Sequence, residues 1–181
     1  KATNRGAGDI VIHEVSGDDI LVEGIQQSQW NGVGEIELDV VGSILIDGSG
    51  SGIDNAGSGD ITLVAGGDLL VQADIQSTNS SAESSTLNIA VDGDVRFEAD
   101  IGYLATEGSV VIDSDQEVSV ADGVMIDEGV HDLEIIAGRD LRLDDLAVSG
   151  ALEVTTAGSY EQVGSMDAES VTYDVTGNID V

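Results

Sequence analysis

The chain contains no proline and no cysteine, and aromatic residues make up only 3% of its 181 positions. Without cysteine there is no disulfide scaffold, although the compartment stays open, because many secreted bacterial proteins also lack cysteine. Without proline every backbone N–H can donate, which strands paired on both edges require. Scarce aromatics mean that any interior is a thin space lined by aliphatic side chains. Cations are short as well: 5 basic residues stand against 36 acidic ones, a net charge of −31. Such a chain has no Lys and Arg cluster for a phosphate backbone, so nucleic acid is excluded as a partner. It would avoid anionic membranes, and it favours divalent cations, salty surroundings or cationic partners. No stretch is long and apolar enough to span a bilayer. Residues 1–9, KATNRGAGD, lack the apolar segment of a signal peptide, and no methionine starts the chain. A piece of a longer rod is therefore expected.

What is present is regular. Hydrophobic residues make up 41%, mostly Val, Ile, Leu and Ala, and glycine occurs 24 times. This alternation argues against the disorder that high net charge would otherwise suggest. The clearest stretch is DITLVAGGDLLVQADI (60–75), with apolar residues at Ile61, Leu63, Leu69, Val71 and Ile75 around a Gly66-Gly67 corner. LNIAVDGDVRFEADI (87–101) repeats it almost position for position. Equivalent anchors fall at Ile10, Ile36, Ile61, Leu87, Val110, Leu133, Leu152 and Val171, with spacings of 26, 25, 26, 23, 23, 19 and 19. A second strand begins eight residues after most anchors, at Ile44, Leu69, Val95, Val118, Leu141, Tyr160 and Ile179. The first copy departs, with Ile20 ten residues on, as if its corner carried an insertion. A third apolar position follows at Ile75, Ile101, Val124, Ala147 and Met166.

A unit of this size cannot bury its own apolar face, so the copies must stack. Short strands with glycine corners describe one coil of a parallel β-helix, each strand pairing with its equivalent about 4.8 Å away. The expected fold is all-β, a right-handed parallel β-helix of about eight coils, forming a rod roughly 35–40 Å long. Residues 1–181 read as a single solenoid, with longer-looped coils over 1–109 and shorter ones over 110–181. A string of β-sandwich modules would bring prolines, larger aromatics and a longer period. The segments 47–59 and 76–86 read as edge loops along one side, either a binding face or plain solvent loops.

Units such as GDITLVAGGDLLVQADI and HDLEIIAGRDLRLDDLAVSGALEVTTAG resemble the β-helical repeats of filamentous-haemagglutinin-like bacterial exoproteins and other giant repetitive surface proteins. The two 19-residue coils match the short repeat of that family best. The resemblance covers nearly the whole chain and carries no catalytic motif. It implies an extracellular or cell-surface rod serving as stalk, adhesin or filament body. Self-association end to end or within a longer filament would go with it, and a surface glycan or protein as ligand.

Among residues that could carry chemistry, a carboxylate column comes first. Asp68, Asp94, Glu117 and Asp140 precede the second strand in four successive coils, with Asp19 further down. Stacked about 5 Å apart, such carboxylates repel by roughly 1 kcal/mol per pair in water. Together with corner carbonyls they could hold Ca²⁺. The competing reading is ordinary corner chemistry, Asp accepting a local backbone N–H. Arg139, Arg96 and Arg142 are placed to offset part of the repulsion. DGSGSGIDNAG (47–57) has some spacing of a glycine-rich Ca²⁺ nonapeptide but no tandem partner, and Asp113, Asp115 and Glu117 alternate along one strand edge.

A Ca²⁺-dependent carbohydrate-active enzyme of the lyase or hydrolase type is the alternative, because some such enzymes share this fold. Lyase chemistry wants a Lys or Arg beside acidic Ca²⁺ ligands, and only Arg139 and Arg142 lie close in sequence. Sugar grooves need stacking aromatics, and Trp30, Tyr103, Tyr160 and Tyr173 are a thin supply. His13 and His131 lie in different coils with no Cys or third His beside them. No catalytic residue is assigned, no cofactor is required, and Ca²⁺ stays the one candidate ion.

Overall fold

In the computed structural model the chain is all-β, and its strands form three parallel sheets of eight strands each. Residues 1–29, 32–77, 85–126 except 104–107, and 130–181 are described. Sheet I collects the anchor strands, from Ile10–Glu14 to Ser170–Val175. Sheet II collects the second strands, from Ile20–Val22 to Ile179–Asp180, and sheet III the third, from Ala2–Asn4 to Met166–Asp167. Each strand pairs only with its equivalents one coil before and after, as in Ile36↔Ile61 and Ile61↔Leu87. The eight repeats in the sequence thus supply eight strands to every sheet, and about seven complete turns separate the first coil from the last.

Period-two alternation decides what faces inward. Ile36, Leu38, Ile61, Leu63, Leu87 and Ile89 are fully buried from sheet I, as are Ile44, Leu69, Val95 and Val118 from sheet II. Sheet III closes the triangle with Ile53, Ile75, Ile101 and Ile126. Each buried aliphatic contributes about 1.5–3 kcal/mol, and stacking like on like leaves little void between coils. In the last coil Val171, Tyr173 and Ile179 occupy the same inward columns but stay exposed at 38%, 36% and 51%. Only one coil covers them.

Sheet III departs from the sequence reading in two places. Ile53–Asn55 is a strand, pairing with Ile25–Gln27 and Ile75–Ser77, where a long edge loop over 47–59 was expected. Residues 47–52 connect sheets II and III and residues 56–60 connect sheets III and I, so the expected loop is two corner connections with a strand between them. Residues 78–84 of the expected 76–86 loop lie outside the described residues. Further along, Ile126 and Leu146 occupy the third column rather than Val124 and Ala147. For Ile126 the cause is the turn at 121–124, where Val124 N–H donates to Ala121 O at 3.1 Å and Gly123 takes φ +78°, delaying the strand by two residues, whereas Leu146 comes one residue early. The insertion inferred for the first corner is real: Ile20 still pairs with Ile44, and Gly17 at φ +86° absorbs the extra residues.

Candidate functional site

The column expected before sheet II is continuous: Asp19, Ser43, Asp68, Asp94, Glu117, Asp140, Ser159 and Asn178 stand one coil apart. The structure brings all four expected carboxylates, Asp68, Asp94, Glu117 and Asp140, into this single line. Their chemistry there is specific. Asp94 N–H donates to Asp68 Oδ1 at 2.9 Å, Glu117 N–H to Asp94 Oδ1 at 3.1 Å, and Ser159 N–H to Asp140 Oδ1 at 2.7 Å. Below them Ser43 N–H donates to Asp19 Oδ1 at 2.9 Å, and Asp68 N–H donates to Ser43 Oγ at 3.1 Å. The carboxylate accepts an N–H from the next coil, not from its own turn. Each of these aspartates is a staple between coils, whereas Glu117 passes no bond to Asp140 among the described residues.

Backbone pairing explains why the staple is needed. As the chain rounds the corner, Gly93 N–H takes the carbonyl of Gly67 at 3.0 Å, and Leu69 N–H takes the carbonyl of Asp94 at 2.9 Å. Asp94 N–H is left with no backbone acceptor in either neighbouring coil. The Asp68 side chain fills the gap. The same arrangement repeats at the other two corners. Glu35, Thr86 and Ala151 N–H donate to Asp9, Asp60 and Asp132 Oδ1 before sheet I. Met125 and Ser165 N–H donate to Asp100 and Asp145 Oδ1 before sheet III. The Ser165 hydroxyl also donates to Asp145 and, as the leading cause, holds that carboxyl below its usual range.

The corner glycines acquire a reason from this contact. A Cβ on Gly93 would meet Asp68 Oδ1 and the Gly67 carbonyl, and one on Gly158 would meet Asp140 Oδ1 and Arg139 backbone. Neither glycine has positive φ. They are present because the coil below comes too close, not because the turn needs a left-handed backbone.

The arginines do not neutralise the column as expected. Arg96 pairs with Glu98 at 2.8 Å. Arg142 pairs with Asp122, with Glu161 at 3.6 Å, and donates to Val120 O at 2.8 Å, so its guanidinium pKa is raised, chiefly by the Asp122 hydrogen bond. Arg139 forms no ion pair among the described residues. His13 pairs across coils with Asp39 at 3.3 Å. Asp54 of the nonapeptide-like stretch faces outward from sheet III, where Gln26 Nε2 donates to it at 3.4 Å. Trp30 lies outside the described residues.

For calcium, the donor set offers one carboxylate per coil with an Oδ1 already accepting an N–H, so an ion at Asp68–Asp94 would compete for those lone pairs or use the second oxygens. Among the described residues no group of three or more His, Cys, Asp or Glu is arranged to hold a metal ion. One feature escaped the sequence reading altogether. Asn4, Gln27, Asn55 and Ser77 form an inward polar column at the end of sheet III. Gln27 Nε2 donates to Gly8 O at 2.6 Å and Asn55 Nδ2 to Gly59 O at 2.8 Å, which ties the connection between sheets III and I to the wall. Only the period-two register of strand 53–55 would have revealed it, and that strand looked like a glycine-serine loop.

Compared with known proteins, the chain matches no family model, no curated protein and no solved structure. What stands on its own is the architecture, a parallel β-solenoid of stapled repeats.

Proposed function

We propose that the chain is a rigid segment of a large secreted or cell-surface bacterial protein, working as stalk, adhesin or filament body. The observation that carries this reading is uniformity: three sheets run in unbroken coil-to-coil pairing from one end of the chain to the other, and corner staples recur at all three edges. Seven spacings of about 4.8 Å make a rod near 34 Å long, stiff because any bend must break pairing in all three sheets at once. The acidic exterior keeps such a rod soluble and apart from its neighbours. The likeness of the repeats to haemagglutinin-like exoproteins supports the extracellular placement. Association end to end belongs to the same proposal, because parallel stacking extends by adding a coil of matching shape.

Small-angle scattering with a screen on acidic polysaccharides tests it. An elongated particle whose length grows in proportion when further coils are added, with no glycan turned over, is the expected result. Turnover of any polysaccharide, with or without calcium, would overturn it.

A further inference from the structure

The outer face of sheet II is a lattice three residues wide, because positions i−2, i and i+2 of a strand share a side. In the first three coils its rows read Asp19-Leu21-Glu23, Ser43-Leu45-Asp47 and Asp68-Leu70-Gln72. Leucine thus forms the centre line, between two lines that are mostly acidic. Leu21 is 55% exposed, and Leu45 and Leu70 are half-buried. In the fourth and sixth coils the centre line carries Arg96 and Arg142 instead, and each of these pairs with nearby carboxylates. Arg96 reaches Glu98 of one outer line, and Arg142 reaches Asp122 and Glu161 close by, so a cation on the centre line finds carboxylate partners. In the first three coils leucine takes that place, and no cationic side chain pairs with Asp19, Glu23, Asp47 or Asp68 among the described residues.

We propose that this strip, Leu21, Leu45 and Leu70 with its acidic rims, docks a cationic amphipathic α-helix of another protein. The helix lays an apolar stripe on the leucines and aims Lys or Arg at the rims. The period selects a helix. The leucines recur about every 4.8 Å along the rod, and residues i, i+4 and i+7 of a helix rise about 0, 6 and 10.5 Å, close to the ladder's 0, 4.8 and 9.6 Å. An extended strand places i, i+2 and i+4 about 6.7 Å apart and falls out of step by the third leucine. A second copy of this chain fits badly, because a surface of net charge −31 would set carboxylates against carboxylates. The site is independent of whether the rod is a stalk or an adhesin.

The test uses the full chain and two fluorescein-labelled peptides of the same Leu/Lys composition. One has leucine at i, i+3, i+4 and i+7, and the other alternates leucine and lysine. Fluorescence anisotropy at physiological salt should show the helical-pattern peptide binding more tightly. The double variant Leu45→Ser/Leu70→Ser should weaken that binding by about tenfold or more. Serine is tolerated on this line, since Ser119 already occupies it. A second variant, Glu23→Gln/Asp47→Asn, leaves the leucines in place and should weaken binding several-fold, which keeps the test intact if the first variant fails to fold. Equal binding of both peptides, unchanged binding by the variants, or no binding at all would overturn the proposal.

Discussion

Replacing Asp94 separates the two things a stapled carboxylate does. Its Oδ1 accepts the Glu117 N–H at 3.1 Å, and its charge stands between those of Asp68 and Glu117. Losing the acceptor costs about 1 kcal/mol, the usual net worth of one hydrogen bond. Each neighbouring charge about 4.8 Å away repels by about 0.9 kcal/mol in water, and removing both gains at most about 1.7 kcal/mol at low ionic strength. Asp94→Asn keeps an acceptor and sheds the charge, so it should stabilise the rod by up to about 1–2 kcal/mol in low salt and change little in 1 M salt, where the Debye length is about 3 Å. Asp94→Ala sheds both, so it should be near neutral in low salt and destabilising by about 1 kcal/mol in 1 M salt. Urea unfolding of both variants across a salt series reads this directly. The decisive quantity is the gap between Asn and Ala, expected to stay near 1 kcal/mol at every salt concentration. If the two variants coincide, the staple carries nothing. If Asn destabilises in low salt as much as Ala does, and calcium stabilises only the parent, the column is a cation site and the staple argument fails.

Three further outcomes follow from the same contacts. Leu63→Ala opens a void in a fully buried column and should cost about 2–5 kcal/mol, read as a lower urea midpoint. Gly93→Ala drives a Cβ against Asp68 Oδ1 and the Gly67 carbonyl and should cost about 1–3 kcal/mol, of which Asp68→Ala in the same chain recovers part; full additivity of the two changes would refute the close-approach reading. Tyr160 is buried against Tyr173, with ring centroids 5.2 Å apart, and burial pushes its phenol well above the ordinary range. A folded-state pKa raised above the unfolded one gives stability that is whole below about pH 10 and lost as pH rises past it. Absorbance of tyrosinate on alkaline titration should therefore show Tyr160 ionising only as the rod unfolds, and Tyr160→Phe should move alkaline unfolding to higher pH.

The sequence made sheets I and II legible because their apolar residues alternate strictly and their spacing from anchor to second strand barely varies. Ile36, Leu38, Ile44 and Ile46, or Ile61, Leu63, Leu69 and Val71, announce themselves. Sheet III was half hidden because several of its strands, no shorter than those of sheet II, carry a polar inward residue where sheet II has a second apolar one, such as Gln27, Asn55 or Ser77. One apolar residue in a three-residue strand gives no period to detect. Ile53 therefore looked like an interruption in a loop, although it is fully buried and paired on both sides. The carboxylates do stand one per coil, yet the group that each of them accepts was not readable. Which N–H an Asp accepts depends on which carbonyl the corner has already used, and that is a property of two stacked coils.

That dependence also gives the staples a direction. In each one the side chain belongs to the earlier coil and the N–H to the later, as in Asp19 to Ser43, Asp94 to Glu117 and Asp140 to Ser159. The strand amides next to them run the other way, Val95 N–H donating to Glu117 O at 2.8 Å and Leu141 N–H to Ser159 O at 2.9 Å. A corner is thus closed by one bond in each sense, and a side chain of wrong length opens only half of it. Glu117 is such a side chain: it is one methylene longer than Asp and, among the described residues, passes no bond to Asp140. A chain that stacks coils in this way spends its short acids on its own backbone before any ligand arrives. The abundance of Asp at corners is therefore poor evidence for a metal.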